Sequence, residues 1–171
     1  MVKIIRATQN DAALLTALAQ TTFWESHGHS GPETAIRNYI ADHYNETELK
    51  KELSDPANLF HFIYHADKPV GFSKLIFDHP FEGCPVSPVT KLERIYLLQE
   101  VLGLKLGKQL MDFNIDLAKK QDQSGIWLFV WKGNERAFRF YQRAGFEIAG
   151  EYDFKISETH YNPNYRMLLR F

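Results

Sequence analysis

The stretch from Leu92 to Leu110, Leu-Glu-Arg-Ile-Tyr-Leu-Leu-Gln-Glu-Val-Leu-Gly-Leu-Lys-Leu-Gly-Lys-Gln-Leu, constrains this chain more than any other. Its first half is short and apolar, as a buried strand is. Its second half has glycines at 103 and 107, with Leu106, Leu110, Phe113 and Leu117 at helical spacing. Strand, glycine-bearing turn and helix follow with almost no connector. That order aims free backbone N–H groups and the positive end of a helix dipole at one point, an anion site most often used for phosphate. An ordinary βα unit would use the same glycines only to turn tightly, and the stretch alone leaves both readings open.

On the N-terminal side, Val2 to Ala7 reads as a strand. Thr8 with Asp11 three residues on resembles a capping box. Leu14, Leu15, Leu18, Ala19 and Phe23 then predict an amphipathic helix over residues 9–23. Residues 25–31 are a polar break. Pro32 suits a helix first turn, and Ile36, Tyr39 and Ile40 give a second helix. Asn45 is placed to cap a third, from Glu46 to Leu53. Leu59 to His65 and Val70 to Asp78 read as a β-hairpin turning at Ala66-Asp67-Lys68. Beyond the central stretch, Ile126 to Trp131 is a nearly continuous apolar run, as in a strand covered on both faces. A helix starts at Gly133-Asn134 and ends at Gly145. Phe146 to Ile156 and Tyr161 to Phe171 are the last two strands. The order β-α-α-α-β-β-β-α-β-α-β-β predicts one α/β domain over residues 1–171 with a mixed sheet.

Charge and cysteine content narrow the function classes. Twenty basic and 21 acidic residues give a formal net charge of −1. No basic excess points to nucleic acid, and no polybasic or long apolar run points to a membrane. Cys84 is the only cysteine, so no intramolecular disulfide forms. With no signal-peptide pattern at the N-terminus, the expected location is cytoplasmic.

The second informative stretch is Asn134-Glu135-Arg136-Ala137-Phe138-Arg139-Phe140-Tyr141-Gln142-Arg143-Ala144-Gly145-Phe146. With the central stretch it resembles the GNAT superfamily of acyl-CoA-dependent N-acetyltransferases. Two motifs occur in the right order with a strand between them, and the element order agrees over essentially the whole chain. The segment Thr22-Phe23-Trp24-Glu25, followed by Pro32-Glu33 and Tyr39, also resembles bacterial polyamine acetyltransferases of the PaiA type. In the central motif the usual Gln or Arg is Leu102 and the usual middle glycine is Lys105, while Gly103 and Gly107 remain.

The resemblance implies an α/β fold with a GNAT-like mixed, mostly antiparallel sheet, splayed central strands and flanking helices. It implies acetyl-CoA lying between the splayed strands. Main chain of Tyr96, Leu97 and Leu98 would pair with the pantetheine amides. The amides of Leu102, Gly103, Leu104, Lys105, Leu106, Gly107 and Lys108 would bind pyrophosphate. Asn134 would hydrogen-bond the pantetheine arm, with Ala137 beside it, and Tyr141 would sit near the thioester sulfur. Asn134 can cap its helix at the same time. Arg143 either faces the adenosine end or is a solvated helix charge. By the same analogy residues 24–29, Trp24, Glu25 and His27 among them, would shape the acceptor pocket.

A primary amine has a pKa of about 10.4, so making it neutral at pH 7 costs roughly 4.6 kcal/mol. A nucleophilic amine therefore needs a proton acceptor. Glu93, just before the coenzyme-binding part of the strand, is the candidate base; a salt-bridged glutamate beside Arg94 is the alternative. Tyr141 is the candidate acid for the departing thiolate. His27 and His29 form a His-x-His pair without a third ligand, so no metal is expected. Trp127 and Trp131 read as core residues. The expectation is a ternary-complex acetyl transfer to a small amine by a monomer or homodimer, polyamine leading and an amino-acid derivative, a peptide N-terminus or a protein lysine left open. The rival is a non-catalytic coenzyme-binding module, kept open by Leu102 and Lys105 and opposed by Tyr141.

Overall fold

The computed structural model describes residues 1–171. Its strands are β1 (Val2–Arg6), β2 (Leu59–His65), β3 (Lys68–Ile76), β4 (Thr90–Leu97), β5 (Gly125–Trp131), β6 (Glu147–Ser157) and β7 (His160–Arg170). Its helices are α1 (Ala12–His27), α2 (Glu33–His43), α3 (Glu46–Ser54), α4 (Leu106–Lys120) and α5 (Glu135–Arg143). The element order is the one read from the sequence.

All seven strands join one sheet in the order β1-β2-β3-β4-β5-β7-β6. Every neighbouring pair is antiparallel except β4–β5, which runs parallel and pairs only at Thr90↔Ile126 and Lys91↔Trp127. Past those two rungs the strands separate, so the sheet opens into a fork. The β5-facing edge of β4 from Leu92 to Leu97 has no strand beside it. Alternation along the strands feeds two cores. Phe60, Phe62 and Phe72 pack with Leu15, Phe23, Ile36 and Leu49 of α1–α3 on one face. Leu92, Ile126, Leu128 and Val130 pack with Met111 of α4 and Tyr141 of α5 on the other. Covering on both faces explains the continuous apolar run of β5.

Local signals fixed most boundaries. Thr8 and Asp11 make the reciprocal capping box around a 3₁₀ turn (Gln9–Asp11), and Asn45 Oδ1 accepts the Glu48 N–H at 2.9 Å. Ala66 and Asp67 both take left-handed backbone, φ 48° and 60°, so β3 begins at Lys68, two residues before the expected start. Two expectations need correction. The polar residues Glu25 to His27 do not break α1 but form its last turn. The connector after β4 is also longer than expected, running from Leu98 to Lys105 with a 3₁₀ turn at Gln99–Val101. That turn drives Val101 into a cluster with Ile63, Val70, Leu106 and Leu110, which fixes where α4 starts. No helix is long and apolar enough to cross a membrane.

Candidate active site

The fork opens into one cleft of about 1300 Å³ between β4 and β5. It is bounded by the start of α4, the α5 face, the end of α1, and β6–β7. Of the sequence-predicted residues, Glu25, His27, Glu93, Tyr96, Leu97, Leu102, Gly103, Lys105, Leu106, Gly107, Lys108, Asn134, Ala137, Tyr141 and Arg143 line it. Trp24, Leu98 and Leu104 do not. The Trp24 ring carries the Arg37 guanidinium 4.4 Å from its centre instead. The Leu98 N–H donates to Val70 at 2.9 Å, which uses up that amide.

At the α4 end, the Leu102 and Leu104 amides are spent within the 3₁₀ turn, donating to Gln99 and Val101. The amides of Gly103, Lys105, Leu106, Gly107 and Lys108 have no backbone acceptor. Lys105 caps the helix with φ 60°, the left-handed conformation a glycine takes freely, which explains why glycine is the usual occupant there. At Gly107 a Cβ would meet Leu97 Cδ1 at 3.2 Å and the Phe140 ring at 3.7 Å, so its absence lets α4 sit close to β4 and α5. Free donors at a helix N-terminus make an anion site.

On α5, Asn134 Oδ1 accepts the Ala137 N–H at 3.1 Å. Gly145, at φ 101°, closes the helix. This places Tyr141 against Leu92, Leu128 and Phe146 with its ring buried. No protein group bonds its hydroxyl, which faces the cleft. Burial pushes the Tyr141 pKa up, so it is a neutral donor throughout the physiological range. Burial also lowers His27 to about 4, helped by the charge of His29, and leaves a neutral imidazole stacked on Phe23 at 4.6 Å. Glu25 Oε2 accepts the Gln99 N–H at 2.8 Å and so straps the end of α1 to the β4–α4 connector.

Glu93 occupies a bulge in β4: Arg94 faces Lys74 and Leu92 faces Leu75, leaving Glu93 without a partner rung. The bulge turns Glu93 and Arg94 to the same side. There Lys74 Nζ, nearly inaccessible to solvent, donates to Glu93 Oε1 at 2.9 Å and Glu52 Oε2 at 2.7 Å. Arg94 grips both oxygens of Glu52, at 2.8 and 3.1 Å. Burial alone would raise the Glu93 pKa, but Lys74, Arg94 and Lys91 outweigh it and hold it below the usual carboxylate range. Glu52 is held low in the same way, by Arg94 and Lys74. Glu52 and Lys74 escaped the sequence reading. The available signal was a lysine between the apolar residues Phe72 and Leu75 of β3, where burial demands a partner.

The network also predicts stability. Glu52→Gln leaves Lys74 and Arg94 short of a carboxylate and should cost about 2–3 kcal/mol, at or below the low end for breaking a buried pair because Glu52 is partly exposed. Urea unfolding checks it. Because the folded pKa values of Glu52 and Glu93 lie below their unfolded ones, their contribution is present above the unfolded value of about 4.3. It is lost as pH falls through the folded values. Wild type should lose stability over that acid range more steeply than Glu52→Gln.

The profile of the Acetyltransferase (GNAT) family matches residues 19–146. This chain belongs to that family. It is an N-acetyltransferase, with acetyl-CoA as its cosubstrate. It shares 28% identity over 158 residues with an uncharacterized N-acetyltransferase in the pepI 3' region of Lactobacillus delbrueckii subsp. lactis, covering 92% of this chain and 91% of that one. With an uncharacterized N-acetyltransferase of Mycobacterium bovis it shares 26% over 152 residues, 89% and 93% of the two chains. The fold is that of the PaiA N-acetyltransferase of Thermoplasma acidophilum, solved in complex with coenzyme A, with TM-score 0.79, 22% identity and coverage of 100% and 99%. It is also that of the ribosomal-protein-S18-alanine N-acetyltransferase of Escherichia coli, with TM-score 0.71, 18% identity and coverage of 99% and 94%. Cations predominate at the α4–α5 end of the acetyltransferase's cleft. Lys105, Lys108, Arg136 and Arg143 line it near the free amides and α5, while Asp112 there is paired with Lys108 at 2.6 Å.

Proposed function

We propose that residues 1–171 act as one domain that acetylates a small primary amine by direct attack in a ternary complex. The observation that carries this reading is the unbonded, neutral Tyr141 hydroxyl in a fork whose far end is a row of free amides. Acetyl-CoA supplies the acetyl group as a thioester. The amides of Gly103 and Lys105 to Lys108 bind its pyrophosphate, and the open edge of β4 along Tyr96 and Leu97 receives the pantetheine arm. Asn134 caps α5 and offers its remaining polar atoms to that arm. Arg143 takes the adenosine end. Tyr141 donates a hydrogen bond or proton to the departing sulfur. Glu93 accepts the amine proton through Oε2, the oxygen that Lys74 leaves free.

The PaiA-type resemblance favours a polyamine as acceptor. The surplus of cations on the acceptor side favours instead an amine that carries its own negative group. The unpaired Cys84 suits a cytoplasmic setting. Thiol release from acetyl-CoA with a panel of primary amines, with the product checked by mass for one added acetyl group, tests the reading. Release with no amine acetylated would contradict it.

Glu93→Gln should depress turnover most near neutral pH. The deficit should shrink as pH approaches the amine's own pKa of about 10.4, where the amine needs no help. A deficit that does not vary with pH, read from kcat/KM profiles, would leave Glu93 only its structural ion pairs.

A further inference from the structure

The acceptor side of the fork, facing α1 and α2, has a charge pattern that the cosubstrate does not account for. Two carboxylates, Glu52 and Glu93, face three cations there, Lys74, Arg94 and Lys91. Lys74 and Arg94 use both carboxylates in short hydrogen bonds. Lys91 is left over. Its Nζ is 3.8 Å from Glu93 Oε2, beyond hydrogen-bond distance, and rests on the faces of Trp127 and Phe129 at 5.2 and 5.6 Å. Its side chain is 18% exposed and lines the cleft. The only other acid on this side, Glu25, is engaged with the Gln99 N–H.

An ammonium whose only carboxylate contact is that long one to Glu93, inside a largely aromatic wall, calls for an anion. A polycation would meet Lys91 as a like charge, and every carboxylate on this side already accepts at least one hydrogen bond. We infer that the acceptor is an amine that also bears a carboxylate, an amino acid or short peptide, with Lys91 holding the carboxylate. This rests on the acetyl-transfer reading above and narrows its substrate class.

The test is kcat/KM for amine pairs that differ only in the carboxylate: phenylalanine against phenethylamine, and ornithine against putrescine, with spermidine alongside. Loss of a charge-assisted hydrogen bond is worth roughly 10–100-fold. The carboxylated member should be preferred by about that factor, Lys91→Met should collapse the ratio toward unity, and Lys91→Arg should retain it. Methionine keeps the unbranched stem over Trp127 and Phe129, and a melting curve on each variant checks the fold. Equal use of both members by the wild type, or a preference for spermidine, would overturn the carboxylate inference while leaving acetyl transfer standing. Failure to acetylate every amine in the panel, with acetyl-CoA still bound, would overturn the proposed function itself.

Discussion

Gly107→Glu is expected to weaken acetyl-CoA binding on the order of 100-fold while the protein stays folded. Two effects add. The new Cβ meets Leu97 Cδ1 at 3.2 Å and the edge of Phe140 at 3.7 Å, so the wall of the fork must shift by a few tenths of an ångström. Both neighbours are side chains with room to adjust, so the cost to folding is small. The carboxylate then lies in the first turn of α4, beside the free amides of Lys105 to Lys108, where it competes with a bound phosphate for the same positive potential. A charge in such a position is worth up to ~2 kcal/mol by the dipole alone, and each ~1.4 kcal/mol is tenfold in affinity. Gly107→Ala separates the terms, since it adds the contact without the charge and should lose far less. Calorimetric titration with acetyl-CoA measures both. Wild-type affinity in a folded Gly107→Glu protein would move the phosphate site elsewhere.

Tyr141→Phe should lower turnover roughly 10–100-fold, the low end for general acid help, because a thiolate with a parent pKa of about 8.5 is already a fair leaving group. Acetyl-CoA affinity should hold, since a donor that acts on the departing sulfur works mainly in the transition state. The substitution is clean here. The hydroxyl has no protein partner to strand, and the ring keeps its packing against Leu92, Leu128 and Phe146. Single-turnover rates with a binding titration on the same protein read both quantities. Full activity would mean that the ring, and not the hydroxyl, is what the cleft uses.

The parts of the site that were legible in the sequence are those whose cause is local. Gly103 and Gly107 at the head of α4, Asn134 at the head of α5 and Gly145 at its end each announce a backbone conformation within a few residues. The parts that were not legible depend on distant partners. The bond between Glu93 and Lys74 joins positions on adjacent strands, and the α3 residue Glu52 completes the network; neither partner is marked by spacing. Trp24 and Glu25 are neighbours in sequence but a helix turns them apart, one to Arg37 and the other to Gln99. The polar end of α1 looked like a loop because a helix turn facing an open cleft has the composition of one facing water. The fork itself has no composition at all. It arises because β4 and β5 are parallel, pair for two rungs and then diverge.

The central claim is direct transfer from acetyl-CoA to an amine held in the same cleft. Initial rates of thiol release, measured while acetyl-CoA is varied at several fixed concentrations of the best amine, test it most directly. Intersecting double-reciprocal lines are the expected result, because both molecules must be present before Tyr141 and Glu93 can act. Parallel lines would require an acetylated enzyme and contradict the claim, as would a rate indifferent to the amine.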